Sequence, residues 1–174
     1  HMYELKTLQN LNEYFTNLSD RREKGVFFYR LNCYNDTIHH FMTQYYDVAR
    51  LSGVVIEGKI QNPDENNLNY YNEIMGMSFQ MSVGFIANAL KKWLPRMDEL
   101  QRNNIAVAFY DTLEGMRREG KNDNMLKNAY IKFMCWMYYR FERIAHLLGN
   151  NQSPKILFDG EVSYYELKML SILQ

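Results

Sequence analysis

The sequence predicts a mainly α-helical protein, in which a multi-helix bundle surrounds one central amphipathic helix and is joined by a small β element and a C-terminal strand-turn-helix unit. The longest helical pattern runs from Asn122 to Leu148 and is rich in large apolar side chains. Five or six helical periodicities outweigh three short strand-like runs. The 174 residues are 15% aromatic and include only three prolines, so the chain can fill a sizeable core.

The central helix is predicted to contact several other helices, because its apolar arc is wide and leaves only a narrow stripe for water. Its main apolar face comprises Leu126, Tyr130, Phe133, Met137, Phe141, Ile144 and Leu148. The flanks comprise Met134, Tyr138 and Ala145 on one side and Ala129, Trp136 and Leu147 on the other. The predicted polar stripe comprises Asn128, Lys132, Cys135, Tyr139, Glu142, Arg143 and His146.

Two helices and two strand-like runs are predicted in the first third of the chain. Apolar residues at helical spacing predict a first helix over residues 4–18. The aromatic and β-branched run 26–31 predicts a short strand. A second helix starts near Asn35 or Asp36 and would be closed by Gly53. Val54-Val55-Ile56 predicts a second short strand, which would pair with the first.

Two more helices are predicted before the central one. The Asn-rich segment 61–72 has loop composition. The next helix carries Phe79, Val83, Ile86, Leu90, Trp93 and Met97 on one face. Pro95 disfavours helix at Leu94 and predicts a break there. The following helix, 96–119, places Ile105, Phe109, Leu113 and Met116 in the core.

The C-terminal segment has the pattern of a strand, a turn and a helix. Residues 149–154 combine glycine, polar turn formers and proline, which is typical of a linker. Ile156-Leu157-Phe158 predicts a strand, and Ser163 with Glu166 three residues later predicts a helix that begins with a capping box. This strand needs a partner, which is 26–31, 54–56 or sequence outside this chain.

The linker suggests a division of the chain. Residues 1–2 are interpreted as an expression remnant, 3–149 as a helical domain, and 150–174 as the linker and start of a possible α/β region. Residues 154–174 are then expected to dock loosely on the helical body or to pair with a neighbouring chain.

Charge and cysteine content narrow the function classes. Twenty basic residues balance 20 acidic ones, which argues against nucleic-acid and polybasic membrane partners. No apolar run approaches the ~18 residues of a spanning helix and no leader is recognisable, so we expect a cytoplasmic protein. Cys33 and Cys135 stand alone, which favours free thiols over a disulfide or zinc site.

Two arginines are the leading candidates for anion or ligand binding. On a straight helix Arg140 falls on the apolar face, and Arg30 lies in an otherwise apolar strand. A buried guanidinium needs carboxylate or carbonyl partners. The main interpretation is therefore a buried ion pair, with Glu114, Asp111 or Glu73 as possible acids, or a side chain whose stem is buried and whose charge reaches water.

Acidic and histidine residues provide weaker candidates. Asp159, Glu161 and Glu166 surround a strand-to-helix turn, where sites of α/β units form, although the main interpretation of these acids is turn capping. His39 and His40 point about 100° apart on a helix and cannot share a metal with Asp36. The sequence therefore predicts no metal site, no cofactor and no catalytic motif.

The segment Pro154-Lys155-Ile156-Leu157-Phe158-Asp159-Gly160-Glu161-Val162, followed by Glu166 and Leu170, resembles the segment that opens the conserved second region of YceG-like proteins. Phe28-x-Arg30 is similar to the N-terminal segment of that family. YceG-like proteins are described as components of a biosynthetic module encoded with tellurite and toxic-anion resistance genes. The resemblance implies a bacterial cytoplasmic stress-operon protein of unestablished activity, of which this chain is the N-terminal helical region.

Two functions follow from these observations. The first is a non-enzymatic helical interaction or accessory module, which binds another protein or the remainder of its own longer chain. The second is part of a biosynthetic enzyme whose catalytic α/β domain lies beyond residue 174. A pocket lined by both arginines would favour the second function.

Overall fold

The computed structural model describes residues 53–61, 69–142, 155–159 and 161–173, together with the helical positions Asp36, His40, Thr43, Tyr46 and Arg50. The elements in these ranges are β1 (Gly53–Glu57), α1 (Asn69–Gly76), α2 (Val83–Trp93), α3 (Glu99–Arg118), α4 (Asp123–Arg140), β2 (Lys155–Asp159) and α5 (Tyr164–Leu173). The predicted mainly helical fold with a small β element is confirmed. The predicted helix 4–18 and strand 26–31 lie outside the described residues.

Helices α2, α3 and α4 each begin at a side-chain cap that the sequence provides. Ser82 Oγ accepts from the Phe85 amide at 3.1 Å, and Asn122 Oδ1 accepts from the Met125 amide at 2.9 Å. At the start of α3, Asp98 and Gln101 form a reciprocal capping box. Such caps satisfy amides that have no partner within the helix, and so they fix where each helix begins.

The region before α2 differs from the prediction. Helix α1 begins at Asn69, inside the predicted loop 61–72, whose residues 62–68 lie outside the described ranges. Tyr70 and Ile74, one helical turn apart, are both buried, so packing outweighs the turn preference of the asparagines. Phe79 lies in the connection between α1 and α2 and not on the predicted helix. The break predicted at Leu94 is present, since α2 ends at Trp93.

Helix α4 is the centre of the core, as predicted. Leu126, Tyr130, Phe133 and Met137 are each at most 2% exposed. The helix packs against both α1 and α3. The burial extends further than predicted, because Cys135, assigned to the polar stripe, is only 4% exposed.

The central helix ends eight residues earlier than predicted. Phe141 closes α4 with φ −115° and ψ 5°, and its amide donates to the carbonyls of both Met137 and Trp136. The Phe141 ring is fully buried, so the turn at this residue places an aromatic side chain in the core. Glu142 is again helical, and residues 143–148 lie outside the described ranges.

The two strands form a parallel pair that joins distant parts of the chain. Gly53 pairs with Lys155 and Glu57 pairs with Asp159, with the residues between in register. Of the three partners considered for the C-terminal strand, the structure therefore selects the run around Val54–Ile56. Gly53 begins β1 and does not close the preceding helix.

Helix α5 belongs to the same core as the other helices. Met169 is fully buried and Ile172 is 2% exposed, and both are part of the continuous apolar cluster that contains Phe133. Helix α5 also packs along α3. The expectation that residues 154–174 dock only loosely is therefore wrong. Within the described ranges, none of the helices has the length and apolar content needed to cross a bilayer.

Candidate functional site

Glu166 fixes the start of α5 and is buried, with 5% of its surface exposed. Its Oε1 accepts from the Ser163 amide at 3.2 Å, and the Glu166 amide donates to Ser163 Oγ at 3.4 Å, which confirms the predicted capping box. Its Oε2 also accepts from the amide of Ile60 at 2.7 Å. One carboxylate therefore joins the start of α5 to the segment that follows β1.

The first turn of α5 and the residues just before it present exposed apolar side chains beside lysines. Val162, Tyr164 and Leu167 are 39%, 39% and 47% exposed. The amines of Lys121 and Lys168 lie 5.1 Å and 5.3 Å from the centre of the Tyr164 ring. We call this surface the α5 patch, and it comprises Lys121, Lys132, Val162, Tyr164, Leu167 and Lys168.

Ionic contacts hold the α5 patch in place. The Tyr164 hydroxyl donates to Glu119 Oε2, and Lys168 Nζ donates to Glu119 Oε1 at 2.9 Å. The hydrogen bonds from Tyr164 and Lys168 lower the pKa of Glu119. Partial burial, followed by the bond to Glu119, raises the pKa of Tyr164 to about 12. Lys132 Nζ lies 5.0 Å from the centre of the Tyr165 ring, which connects the patch to α4.

A second cluster of polar aromatic side chains lies where α1, α2 and α4 meet. We call it the Tyr70 cluster, and it comprises Tyr70, Trp93, Tyr138 and Tyr139. The Tyr70 ring stacks on Tyr138 with 4.2 Å between centroids. It also meets Trp93 at 4.4 Å and Tyr139 at 5.7 Å in edge-to-face geometry. Tyr70 is 3% exposed, and burial raises the pKa of its hydroxyl.

Two polar groups of the Tyr70 cluster are buried without a hydrogen bond. Neither the Tyr70 hydroxyl nor the Trp93 Nε1 group has a partner among the residues that the structure describes. Burying such a group without a partner costs roughly 1–3 kcal/mol. In folded proteins the great majority of buried polar groups form a hydrogen bond, so two buried groups without one on neighbouring rings are unusual.

The structure places Arg140 at the surface, which corrects its predicted burial. It is the last residue of α4, and its Nε donates to the carbonyl of Gln61 at 3.1 Å in an exposed bond. The prediction assumed a longer straight helix. Among the proposed acids, Glu73 pairs with Lys92 and Glu114 pairs with Arg117. Arg140 directly follows Tyr139, so it lies at the end of α4 that contributes to the Tyr70 cluster.

The other predicted residues have separate locations. Arg30 and His39 lie outside the described residues, and His40 is exposed. Asp159 ends β2 and is the register partner of Glu57, so the structure brings these two acidic positions together at the carboxyl ends of the strands. Glu161 is exposed. Within the described part of the chain, no three His, Cys, Asp or Glu side chains are arranged to hold a metal ion.

Cys135 is a poor nucleophile in this structure. It is buried in α4, and burial raises the pKa of its thiol to about 11. The reactive form of cysteine is the thiolate, so this side chain is protonated and shielded near neutral pH.

Comparisons with protein-family models, with curated proteins and with solved structures found no match. The α5 patch and the Tyr70 cluster are therefore the two candidate functional sites. Sequence reasoning missed the Tyr70 cluster because its members come from three helices. One signal was available, since Tyr70 and Ile74 have helical spacing inside the apparent loop.

Proposed function

We propose that this chain is a non-enzymatic helical interaction module that binds another protein through the α5 patch. The observation that carries the proposal is that Tyr164 and Leu167, on a helix that is fixed to the core, and Val162, two residues before that helix, expose 39–47% of their surface. Aromatic and apolar side chains held in place before binding lose little conformational freedom on association. That combination is typical of binding surfaces.

The position of α5 supports this role because the helix is anchored on three sides. Glu166 bonds to Ile60, Met169 and Ile172 enter the core, and Glu119 engages Tyr164 and Lys168. The exposed side chains therefore project from a fixed support.

The charges around the patch favour an acidic partner segment. Lys121 and Lys132 lie over aromatic rings at its edge, while the charge of Lys168 is already matched by Glu119. An amphipathic helix with an apolar stripe and flanking carboxylates would place apolar groups on Tyr164 and Leu167 and acids near the two available lysines. We propose such a segment as the partner.

Binding of two designed peptides tests this proposal. Both are labelled amphipathic helices with leucines at positions i, i+3, i+4 and i+7, flanked by glutamates in one peptide and by lysines in the other. Fluorescence anisotropy should show saturable binding of the glutamate peptide and much weaker binding of the lysine peptide. The double variant Leu167→Asp with Lys121→Glu should weaken binding of the glutamate peptide by at least about tenfold.

Leu100→Asp is a matched control for these variants. Leu100 is 70% exposed, and it lies near the opposite end of α3 from Glu119, about 28 Å away at 1.5 Å per residue. This variant should bind like the wild type. No binding of the glutamate peptide, equal binding of the two peptides, or an equal loss in Leu100→Asp would overturn the proposal.

The resemblance to YceG-like proteins suggests the cellular process in which this module acts. We propose that it acts in bacterial cytoplasmic resistance to tellurite or related toxic anions. Deletion of its gene in the natural host should increase tellurite sensitivity, and the wild-type gene should restore growth while Leu167→Asp should not. Unchanged sensitivity after deletion would contradict the setting, whereas the peptide experiment tests the patch independently.

A further inference from the structure

The unbonded groups of the Tyr70 cluster point to a ligand, and this inference is independent of the α5 patch. The indole Nε1 group of Trp93 can only donate a hydrogen bond, and the Tyr70 hydroxyl is also able to donate. The two rings are in contact, with centroids 4.4 Å apart. A partner that serves both groups must therefore be a hydrogen-bond acceptor.

The surroundings favour an acceptor that is negatively charged and planar. Lys92 Nζ lies 4.9 Å from the centre of the Trp93 ring and donates to Glu73 of α1 at 2.9 Å, so displacement of α1 would remove this acid from the lysine. Arg140 follows Tyr139 on α4. The walls of the cluster are aromatic rings, which stack well on a flat molecule. A carboxylate has two acceptor oxygens and can accept from an indole N–H and a phenol O–H together.

The cluster is closed in the structure, so a ligand must displace one of its elements. Helix α1 buries only Tyr70 and Ile74, fewer side chains than any other described helix. Its contribution to the core is correspondingly small, and elements with few buried apolar contacts open at the lowest free energy. Because Tyr70 lies on α1 and Trp93 lies on α2, displacement of α1 would separate the two rings and open a gap between the Tyr70 hydroxyl and the Trp93 indole.

We infer that the Tyr70 cluster is a binding site for a small planar carboxylate, which enters by displacement of α1 and accepts hydrogen bonds from Tyr70 and Trp93. The ligand would relieve the unfavourable burial of both donors. The ligand would thereby increase the fraction of molecules in which α1 is displaced, because it forms its hydrogen bonds only in that arrangement.

Indole resonances of the full chain provide a direct test. The sequence has two tryptophans, and Trp93→Phe identifies which indole N–H signal belongs to Trp93. Titration with benzoate should shift the Trp93 signal saturably and leave the Trp136 signal in place, because a new acceptor changes the environment of the bonded proton. Benzylamine, which has the same ring but no carboxylate, should leave both signals unchanged.

Tyr70→Phe removes one donor and keeps the ring. It should weaken benzoate binding by about tenfold or more, which corresponds to losing one charge-assisted hydrogen bond. The urea midpoint of this variant should not fall, which separates lost binding from lost folding. The inference is overturned if benzoate leaves the Trp93 signal unchanged, if benzylamine shifts it equally, or if Tyr70→Phe binds benzoate as the wild type does.

Discussion

Two buried polar side chains among the described residues, Glu166 and Tyr70, differ in how their polar atoms are bonded. Glu166 is 5% exposed and bonds through both carboxylate oxygens, to Ser163 and to Ile60. Tyr70 is 3% exposed, and neither its hydroxyl nor the nearby Trp93 Nε1 group has a partner within the described part of the chain. Glu166 and Tyr70 are therefore buried to a similar degree, but the Glu166 carboxylate is fully hydrogen-bonded and the Tyr70 hydroxyl is not bonded to any described residue.

The difference separates a structural role from a binding role. A buried carboxylate that accepts from two backbone amides fixes the elements that carry those amides, which here are α5 and the segment after β1. Donors that are buried without an acceptor lower the stability of the folded state and can still donate a hydrogen bond to a ligand. We therefore assign stability to Glu166 and ligand recognition to Tyr70 and Trp93.

Glu166→Ala should have the largest effect on stability. It removes both acceptors and leaves the buried amide of Ile60 and the partly buried amide of Ser163 without them, so we expect the free energy of unfolding to fall by roughly 2–4 kcal/mol. Urea denaturation followed by circular dichroism measures the change. Glu161→Ala, an exposed acid in the same segment, should change it by less than about 0.5 kcal/mol. Equal effects would show that Glu166 does not join the two elements.

Cys135 extends the comparison to a weakly polar buried group. Its thiol pKa is raised from 9.0 to about 11 by burial, so the folded state holds its proton more tightly than the unfolded state. The resulting stabilisation is complete below about pH 9 and is lost as the pH rises through about 11. A Cys33→Ser variant should therefore react with a thiol reagent slowly at neutral pH and rapidly after unfolding in urea. Fast labelling of the folded protein would contradict the burial of Cys135.

Loss of the contact between Glu119 and Tyr164 should have the smallest effect on stability, because the contact lies at the surface. Hydrogen bonds from Tyr164 and Lys168 lower the pKa of Glu119 in the folded state. This contribution is present above the unfolded pKa of 4.5 and is lost as the pH falls through the lowered folded value. Tyr164→Phe should therefore reduce the loss of stability between about pH 7 and about pH 3. If this variant loses as much stability as the wild type on acidification, or more, the hydrogen bond between Tyr164 and Glu119 is not formed in solution.

Local patterns in the sequence predicted the features that depend on neighbouring residues. The spacing of Ile105, Phe109, Leu113 and Met116 placed the correct face of α3 in the core, since all four are buried. The spacing of Ser163 and Glu166 predicted the capping box for the same reason. The bond from Ile60 to Glu166 joins residues 106 positions apart, and no local pattern encodes it.

Errors arose where packing changed the course of the backbone. Arg140 was assigned to a buried face by extending a straight helix, whereas α4 ends at that residue and its side chain is exposed. Phe141, which was predicted on the apolar face, is buried. Cys135 was assigned to water because only one helix was considered, and the neighbouring helices cover it. The Tyr70 cluster needs contacts among three helices, which the sequence alone does not supply.

Stability of Tyr70→Phe tests the central contrast most directly, with Tyr139→Phe as its matched control. The Tyr139 hydroxyl lies in the same cluster but takes hydrogen bonds from the backbone of Tyr71 and Tyr70. By urea denaturation without ligand, Tyr139→Phe should lower the free energy of unfolding by roughly 0.5–1.5 kcal/mol, while Tyr70→Phe should leave it unchanged or raise it by up to about 1 kcal/mol. A loss in Tyr70→Phe as large as that in Tyr139→Phe would show that the Tyr70 hydroxyl is bonded, and the contrast with Glu166 would be contradicted.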